Sequence, residues 1–336
     1  LFMGNKNLVS VTIPEGVTTI EDRVFCDDAS LASITIPSSV NSIGEYAFTC
    51  CGKLESVIIP EGVTVIDECT FYECKSLRSV TIPKSVTTIK AAAFNGCESL
   101  TSVVLPEGLT SIGEAAFKKC KQLASIVIPD GITTIENHVF YDCTNLSSVT
   151  MGDNVTSIEK DAFRFSGLKS IAIGENVTSI GDEAFSYCFD LESITIGSGV
   201  TTVGTNIFEG TNNVKTIYCG SSAIADQLPE ASEVLLTYES DGNGGIKITK
   251  ATLSDTVTSY DIPSEINGKP VTVIGSGAFS GNANITSITI PNSVTKIGST
   301  AFSQCSKLEN VKIGSNVQTI DAAAFADDTS LKEIVI

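Results

Sequence analysis

Cysteine is the first residue here to suggest reactivity. The chain has 336 residues, eleven of them Cys. Cys51, Cys74, Cys97, Cys120, Cys143, Cys188 and Cys305 each stand three residues after a Phe. Thiolates ligate zinc and attack electrophiles, but tetrahedral zinc needs its sulfurs about 2.3 Å from one centre. Sulfurs spaced one repeat apart form a line and do not converge, so no metal is expected. A disulfide between neighbouring rungs about 4.8 Å apart is sterically conceivable, with Cys26, Cys50 and Cys69 as candidates off the line. Side chains on parallel rungs point alike, and an odd count leaves one thiol unpaired. Free, buried thiols acting as small hydrophobes are the simpler reading.

Other reactive groups are sparse. His138, the single histidine, lies five residues before Cys143. A Cys–His nucleophile pair would require that cysteine to leave the core; a solvated histidine is the plainer expectation. Asp241-Gly-Asn243-Gly-Gly245 faintly resembles a calcium loop, but Thr252 stands where the twelfth-position carboxylate belongs. It reads as a turn. No Gly-rich phosphate loop precedes a helix, and no paired carboxylates converge. Neither a catalytic residue nor a cofactor is expected. The sequons at Asn154, Asn176 and Asn284 are assigned no role.

Composition narrows the classes further. Lys and Arg number 21 against 39 Asp and Glu, a net charge of −18. Phosphate neutralisation is unavailable to such a polyanion, so nucleic acid is not a partner. An anionic membrane surface would repel it too. Hydrophobic residues make up 42% and charged residues 18%, enough to build a core. No apolar run of about 18 residues exists, so no membrane insertion is expected within this chain.

The elements that hold these residues come from a repeat. Phe recurs at 2, 25, 48, 71, 94, 117, 140 and 163 in steps of 23, then at 185 after a step of 22, then at 208. The series resumes at 279, 302 and 325. One unit reads Leu31-x-x-Ile34-x-Ile36-Pro37-x-x-Val40-x-x-Ile43-Gly44-x-x-Ala47-Phe48-x-x-Cys51. Ordering one unit costs about 1.5 kcal/mol per residue, more than its few apolar side chains recover at roughly 1.5–3 kcal/mol each. Only stacked copies can fold. The alternating Ser33-Ile34-Thr35-Ile36 suits a short parallel strand. Pro or Gly turns the corner, and a pattern such as Val-Thr-Thr-Ile forms a second strand. A short helical turn is expected to carry Ala-Phe, capped by Asp67 or Asp321 where Gly is replaced. The expected fold is therefore a β-rich α/β solenoid of about thirteen rungs, roughly 60 Å long at the usual strand spacing.

This pattern resembles the BspA-like leucine-rich repeats of bacterial surface proteins and some parasitic protists. The resemblance implies a leucine-rich-repeat horseshoe or rod. It further implies a cell-surface or secreted, adhesin-like protein that binds host or neighbouring-cell proteins. Residues 219–268 depart from the pattern. The expected organisation is a first array over 1–218, an irregular junction over 219–245, and a second array over 246–336. Within the break, 219–229 suggests a short helix, and 234–238 and 245–249 suggest two strands around a turn. Leu1-Phe2 and Ile336 both fall inside the pattern, which reads as an excised piece of a longer protein or its mature core.

The first strand displays Ser33, Ser56, Ser79, Ser102, Ser125 and Ser148 beside Thr35, Ile58, Thr81, Val104, Val127 and Thr150. The second column is the expected binding face, although it lacks the Tyr, Trp and Arg anchors of most hot spots. Avidity over many rungs would have to compensate. A flat Thr array that orders water is a further reading of the Ser and Thr columns. The main alternative to a protein-binding module is a structural spacer or stalk without a ligand. The first predicts a patch where variable positions become aromatic or charged; the second predicts uniformly small residues. An enzyme is the remaining class, and monomer the expected state.

Overall fold

The repeat is realised as a β-solenoid in which parallel partners lie 23 residues apart, as Ser10–Thr12 and Ser33–Thr35 do. A computed structural model describes residues 2–221, 223–224, 227–229 and 233–336. The chain divides into two units. One runs to Ile171 and adds Asn176–Leu191 and Thr202–Asn212. The other holds Ala172–Glu175, Glu192–Thr201 and Asn213–Ile336.

In the first unit most coils have two short strands; the coil of Ser111–Ile112 has only an isolated bridge, Ser79 to Ser102, in place of its first. Ser56–Ile58 pairs with Ser79–Thr81, and Ser125–Val127 with Ser148–Thr150. The second strands form their own ladders, such as Val65–Ile66, Thr88–Ile89 and Ser111–Ile112. Strands this short survive because alternate side chains point inward onto the next coil: Val57, Val80 and Ile126 are buried between exposed neighbours. The Thr hydroxyls beside the second strand are engaged between coils. Thr110 Oγ1 donates to the Thr87 carbonyl at 3.1 Å, and Thr156 Oγ1 to that of Thr133 at 3.1 Å. These groups serve the stack, which weakens the reading of a water-ordering array.

The third side corrects one expectation. There is no α-helix among the described residues, and Ala-Phe sits on a chain of tight turns. In the coil of Phe48, the amides of Ala47, Thr49 and Cys51 donate to carbonyls three residues back, to Gly44, Tyr46 and Phe48. The alternate amides of Tyr46, Phe48 and Cys50 donate to Glu68, Thr70 and Tyr72 of the next coil. A helix would point every amide along its own axis and leave the coils unlinked. Alternation requires a left-handed residue two before and two after the Phe, as Tyr46 (φ 58°) and Cys50 (φ 60°) show. Non-glycine residues there are strained by roughly 1–2 kcal/mol each, offset by the bonds between coils. Asp67 accordingly caps no helix; its carboxylate meets Lys90 Nζ at 2.6 Å.

The Phe rings run up the core as a stack. From Phe2 to Phe208, successive centroids lie 5.3–5.8 Å apart with nearly parallel planes. That is the offset geometry aromatic quadrupoles favour.

In the second unit, Val234–Ser240 and Ile246–Leu253 form an antiparallel hairpin. This agrees with the two strands and turn read from the sequence. Ile246–Leu253 then pairs in parallel with Lys269–Ile274, returning the chain to the coil pattern. Ser259–Asp261 aligns with Ser287–Thr289. Phe279, Phe302 and Phe325 restart the ring stack at 5.1 Å. The helix expected over 219–229 falls partly outside the described residues.

Asp328 occupies the ladder position of its coil. Its Oδ1 accepts the Cys305 amide at 2.9 Å, while Oδ2 is buried without a partner among the described residues. Burial, aided by neighbouring Asp327, pushes this carboxyl from 3.8 up to about 6. The folded state therefore holds the proton more tightly than the unfolded chain. The stabilisation is complete below pH 3.8 and is lost as pH rises through about 6. Protection of the Cys305 amide against hydrogen exchange should fall across that window. An Asp328→Asn variant, compared at each pH, should show no such fall.

Candidate functional site

The cysteine ladder is structural. All eleven cysteines are free, including Cys26, Cys50 and Cys69. Each ladder thiol donates to the carbonyl of the Phe one coil earlier: Cys74 Sγ to Phe48 at 3.1 Å, Cys97 to Phe71 at 3.2 Å, Cys305 to Phe279 at 3.3 Å. Burial pushes Cys97, Cys120 and Cys143 far up, and Cys188 to about 11. Protonated, enclosed thiols are neither nucleophiles nor ligands at neutral pH. Among the described residues, no three or more His, Cys, Asp or Glu side chains gather as a metal site would require.

His138 and Cys143 part company. Cys143 Sγ faces the Phe117 carbonyl at 3.1 Å. His138 Nε2 lies 3.3 Å from Asp161 Oδ2, and Nδ1 lies 3.8 Å from Glu114 Oε1. Burial and nearby Lys118 lower the imidazole's affinity for a proton. The Asp241 carboxylate is consumed by its own turn. Its Oδ1 accepts the Asn243 and Gly245 amides at 2.6 and 2.9 Å, and Oδ2 accepts the Thr272 hydroxyl. These bonds hold Asp241 below the usual carboxylate range, the Thr272 hydroxyl contributing most.

Surfaces remain, and the first unit carries two. The strand face brings Thr35, Ile58, Thr81, Val104, Val127 and Thr150 into one column. Ile58 is registered on Thr81 and Val127 on Thr150, and the Ser79–Ser102 bridge sets Val104 beside Thr81. Ile58, Val104 and Val127 are 71%, 83% and 64% exposed. Their direction follows from the strand period of two: Val57, Val103 and Ile126 point inward, so their neighbours point out.

The turn face holds aromatic anchors that the sequence reading missed. Phe165 stacks on Tyr187 at 4.9 Å, and Tyr141 meets Phe165 edge-on at 5.7 Å. Tyr187 meets Phe189 edge-on at 6.0 Å. Arg164 lies 5.2 Å from the Phe165 centroid and 5.1 Å from that of Tyr187. It also pairs with Asp161 at 3.1 Å and with Glu183. Lys118 lies 4.6 Å from the Tyr141 ring. The clue available in sequence was aromatics recurring one or two residues after the core Phe in adjacent coils.

Short parallel strands, a buried Leu–Phe core and a stacked turn side define a leucine-rich-repeat solenoid. The chain belongs to the BspA type leucine rich repeat family, whose model matches residues 1–124, 110–225 and 247–336. A leucine-rich-repeat protein of Bacteroides ovatus is similar at 26% identity over 98% of this chain and 92% of its own, with a TM-score of 0.53. A leucine-rich cell surface protein of Faecalibacterium prausnitzii is 27% identical over 98% of this chain and 82% of its own, TM-score 0.44. A leucine-rich-repeat protein of T. pallidum is 29% identical over 55% and 78%, TM-score 0.45. No curated protein matches the chain at a significant level. No helix among the described residues is long and apolar enough to cross a membrane.

Proposed function

We propose that this chain is a non-enzymatic protein-binding module of a bacterial cell-surface or secreted protein, an adhesin-like repeat array that engages host or neighbouring-cell proteins. The observation that carries the reading is the strand-face column. Three large aliphatic side chains, Ile58, Val104 and Val127, stand well exposed in a column otherwise of Thr, where polar side chains would be expected on a plain solvated face. Large aliphatic side chains exposed in one column are a mark of interaction sites. Family membership supports the surface location. The aromatic turn face argues against a plain spacer, which needs only small residues throughout. The reading treats residues 219–245 as the joint between two arrays.

The test is retention on immobilised extracellular-matrix proteins. The Ile58→Lys, Val104→Lys, Val127→Lys triple variant should retain its melting behaviour, because these side chains are exposed. It should lose binding by roughly tenfold or more, as truncated hot spots do. Full retention by the variant would move the site off the strand face. Failure of the parent chain to bind any matrix protein would remove the support for adhesion.

A further inference from the structure

We infer that the turn face between Tyr141 and Phe189 docks an arginine-rich segment of a partner protein, a second surface that rests on the protein-binding reading. The chain itself supplies precedent. Three times on this face a cation of the protein lies on a ring: Arg23 at 4.7 Å from Tyr46, Lys118 on Tyr141, and Arg164 on Phe165 and Tyr187. The Arg164 example is complete, with carboxylates of Asp161 and Glu183 closing the guanidinium's edge. Guanidinium over a ring with carboxylates beside it is the arrangement that binds arginine well.

Charge points the same way. The turns 136–142, 159–165 and 181–190 carry seven carboxylates and two cations, and both cations belong to the 159–165 turn. The chain as a whole stands at −18. Glu136 feels the crowding: burial, then the like charges of Glu159 and Glu114, raise its carboxyl. An incoming cation relieves that repulsion. Phe189 is 57% exposed beside exposed Asp190, and Tyr187 is directed by its hydroxyl to Glu209 Oε1 at 3.2 Å. Rings and acids thus lie side by side along this row. A nucleic acid or an anionic membrane meets the wrong sign here; a basic polypeptide meets the right one.

The probe is a synthetic twelve-residue peptide alternating Arg and Gly, with Lys–Gly and Glu–Gly peptides of equal length as controls. Binding is read by fluorescence anisotropy at physiological salt. The Arg peptide should bind, the Lys peptide more weakly, and the Glu peptide not at all. A Tyr141→Ala, Phe189→Ala double variant should weaken Arg-peptide binding roughly tenfold, the sum of two exposed cation–π contacts. Circular dichroism checks that the variant is folded, and a Tyr141→Phe variant should keep parental affinity. Equal binding of the Glu and Arg peptides overturns the inference, as does an unchanged affinity in the double variant. Retention on matrix proteins without Arg-peptide binding overturns this inference alone, and leaves the protein-binding reading in place. Parental Arg-peptide affinity in the strand-face triple variant would support two separate surfaces.

Discussion

Replacing Phe94 with Ala should lower the unfolding free energy by about 3–5 kcal/mol, the range for removing a buried phenyl ring. Phe94 is fully buried and stacked between Phe71 at 5.4 Å and Phe117 at 5.3 Å. Neither neighbour can slide into the space. Each ring is tied to its own coil, as the Phe94 amide is to the Ala116 carbonyl at 2.8 Å. The cavity therefore persists, and the loss sits at the upper end for a large-to-small change. Because each coil contacts only its neighbours, the damage also divides the array. Urea unfolding followed by circular dichroism should show an earlier and broader transition. A Tyr141→Ala control, changing a partly exposed ring, should cost less than about 1 kcal/mol. A Phe94→Ala cost as small as the control's would mean that the strand ladders, and not the ring stack, hold the coils together.

That stack was legible in the sequence because its cause is local and periodic. A Phe every 23 residues can only face its copies once the coils stack, and the Pro and Gly corners and the hairpin at 234–253 were readable for similar reasons. The turn was not legible. Ala91-Ala92-Ala93 and Ala115-Ala116 favour a helix by propensity. Their observed backbone, with Ala92 at φ 52° and Ala115 at φ 54°, is imposed by amide bonds to another coil. A single repeat read alone contains no sign of that demand.

The ladder position was half legible. Cysteine read as a small hydrophobe, which its burial supports, but every residue three after a marker Phe can hydrogen-bond: Asn5, Asp28, Ser166, Thr211, Asn282 and Asp328 stand where Cys does not. Asn282 Nδ2 bonds the Phe279 carbonyl at 2.7 Å, and Ser166 Oγ lies 3.2 Å from Cys188 Sγ. The common requirement is a polar contact at a crowded joint, and Cys supplies one with the least desolvation. The turn-face aromatics were hidden by register. Tyr141 stands one residue after its Phe, while Phe165 and Tyr187 stand two after theirs, so no fixed column in the 23-residue frame contains them all.

The same shortened coil sets up the second large effect. Gly167→Ala should destabilise the protein by about 1–3 kcal/mol, near the top of that range for overpacking. The step from Phe163 to Phe185 is 22 residues where its neighbours are 23. In this short coil the Gly167 amide donates to the Cys143 carbonyl of the coil before it at 3.2 Å. A Cβ on Gly167 would sit 2.1 Å from the Thr144 carbonyl oxygen and 2.9 Å from its carbon. Backbone cannot step aside as a flexible side chain can. Gly108 offers the contrast, since its Cβ would find the Lys84 carbonyl oxygen at 3.8 Å, an ordinary contact. Gly108→Ala should be neutral or stabilising by up to about 1 kcal/mol, through the unfolded chain's lost freedom. Thermal unfolding should thus move to lower temperature for Gly167→Ala and stay put or move higher for the identical substitution at Gly108. Inserting one residue between Ser166 and Gly167 in the Gly167→Ala background restores the 23-residue step and should recover part of the loss. If the insertion deepens the loss, the short coil is not the reason glycine is needed there.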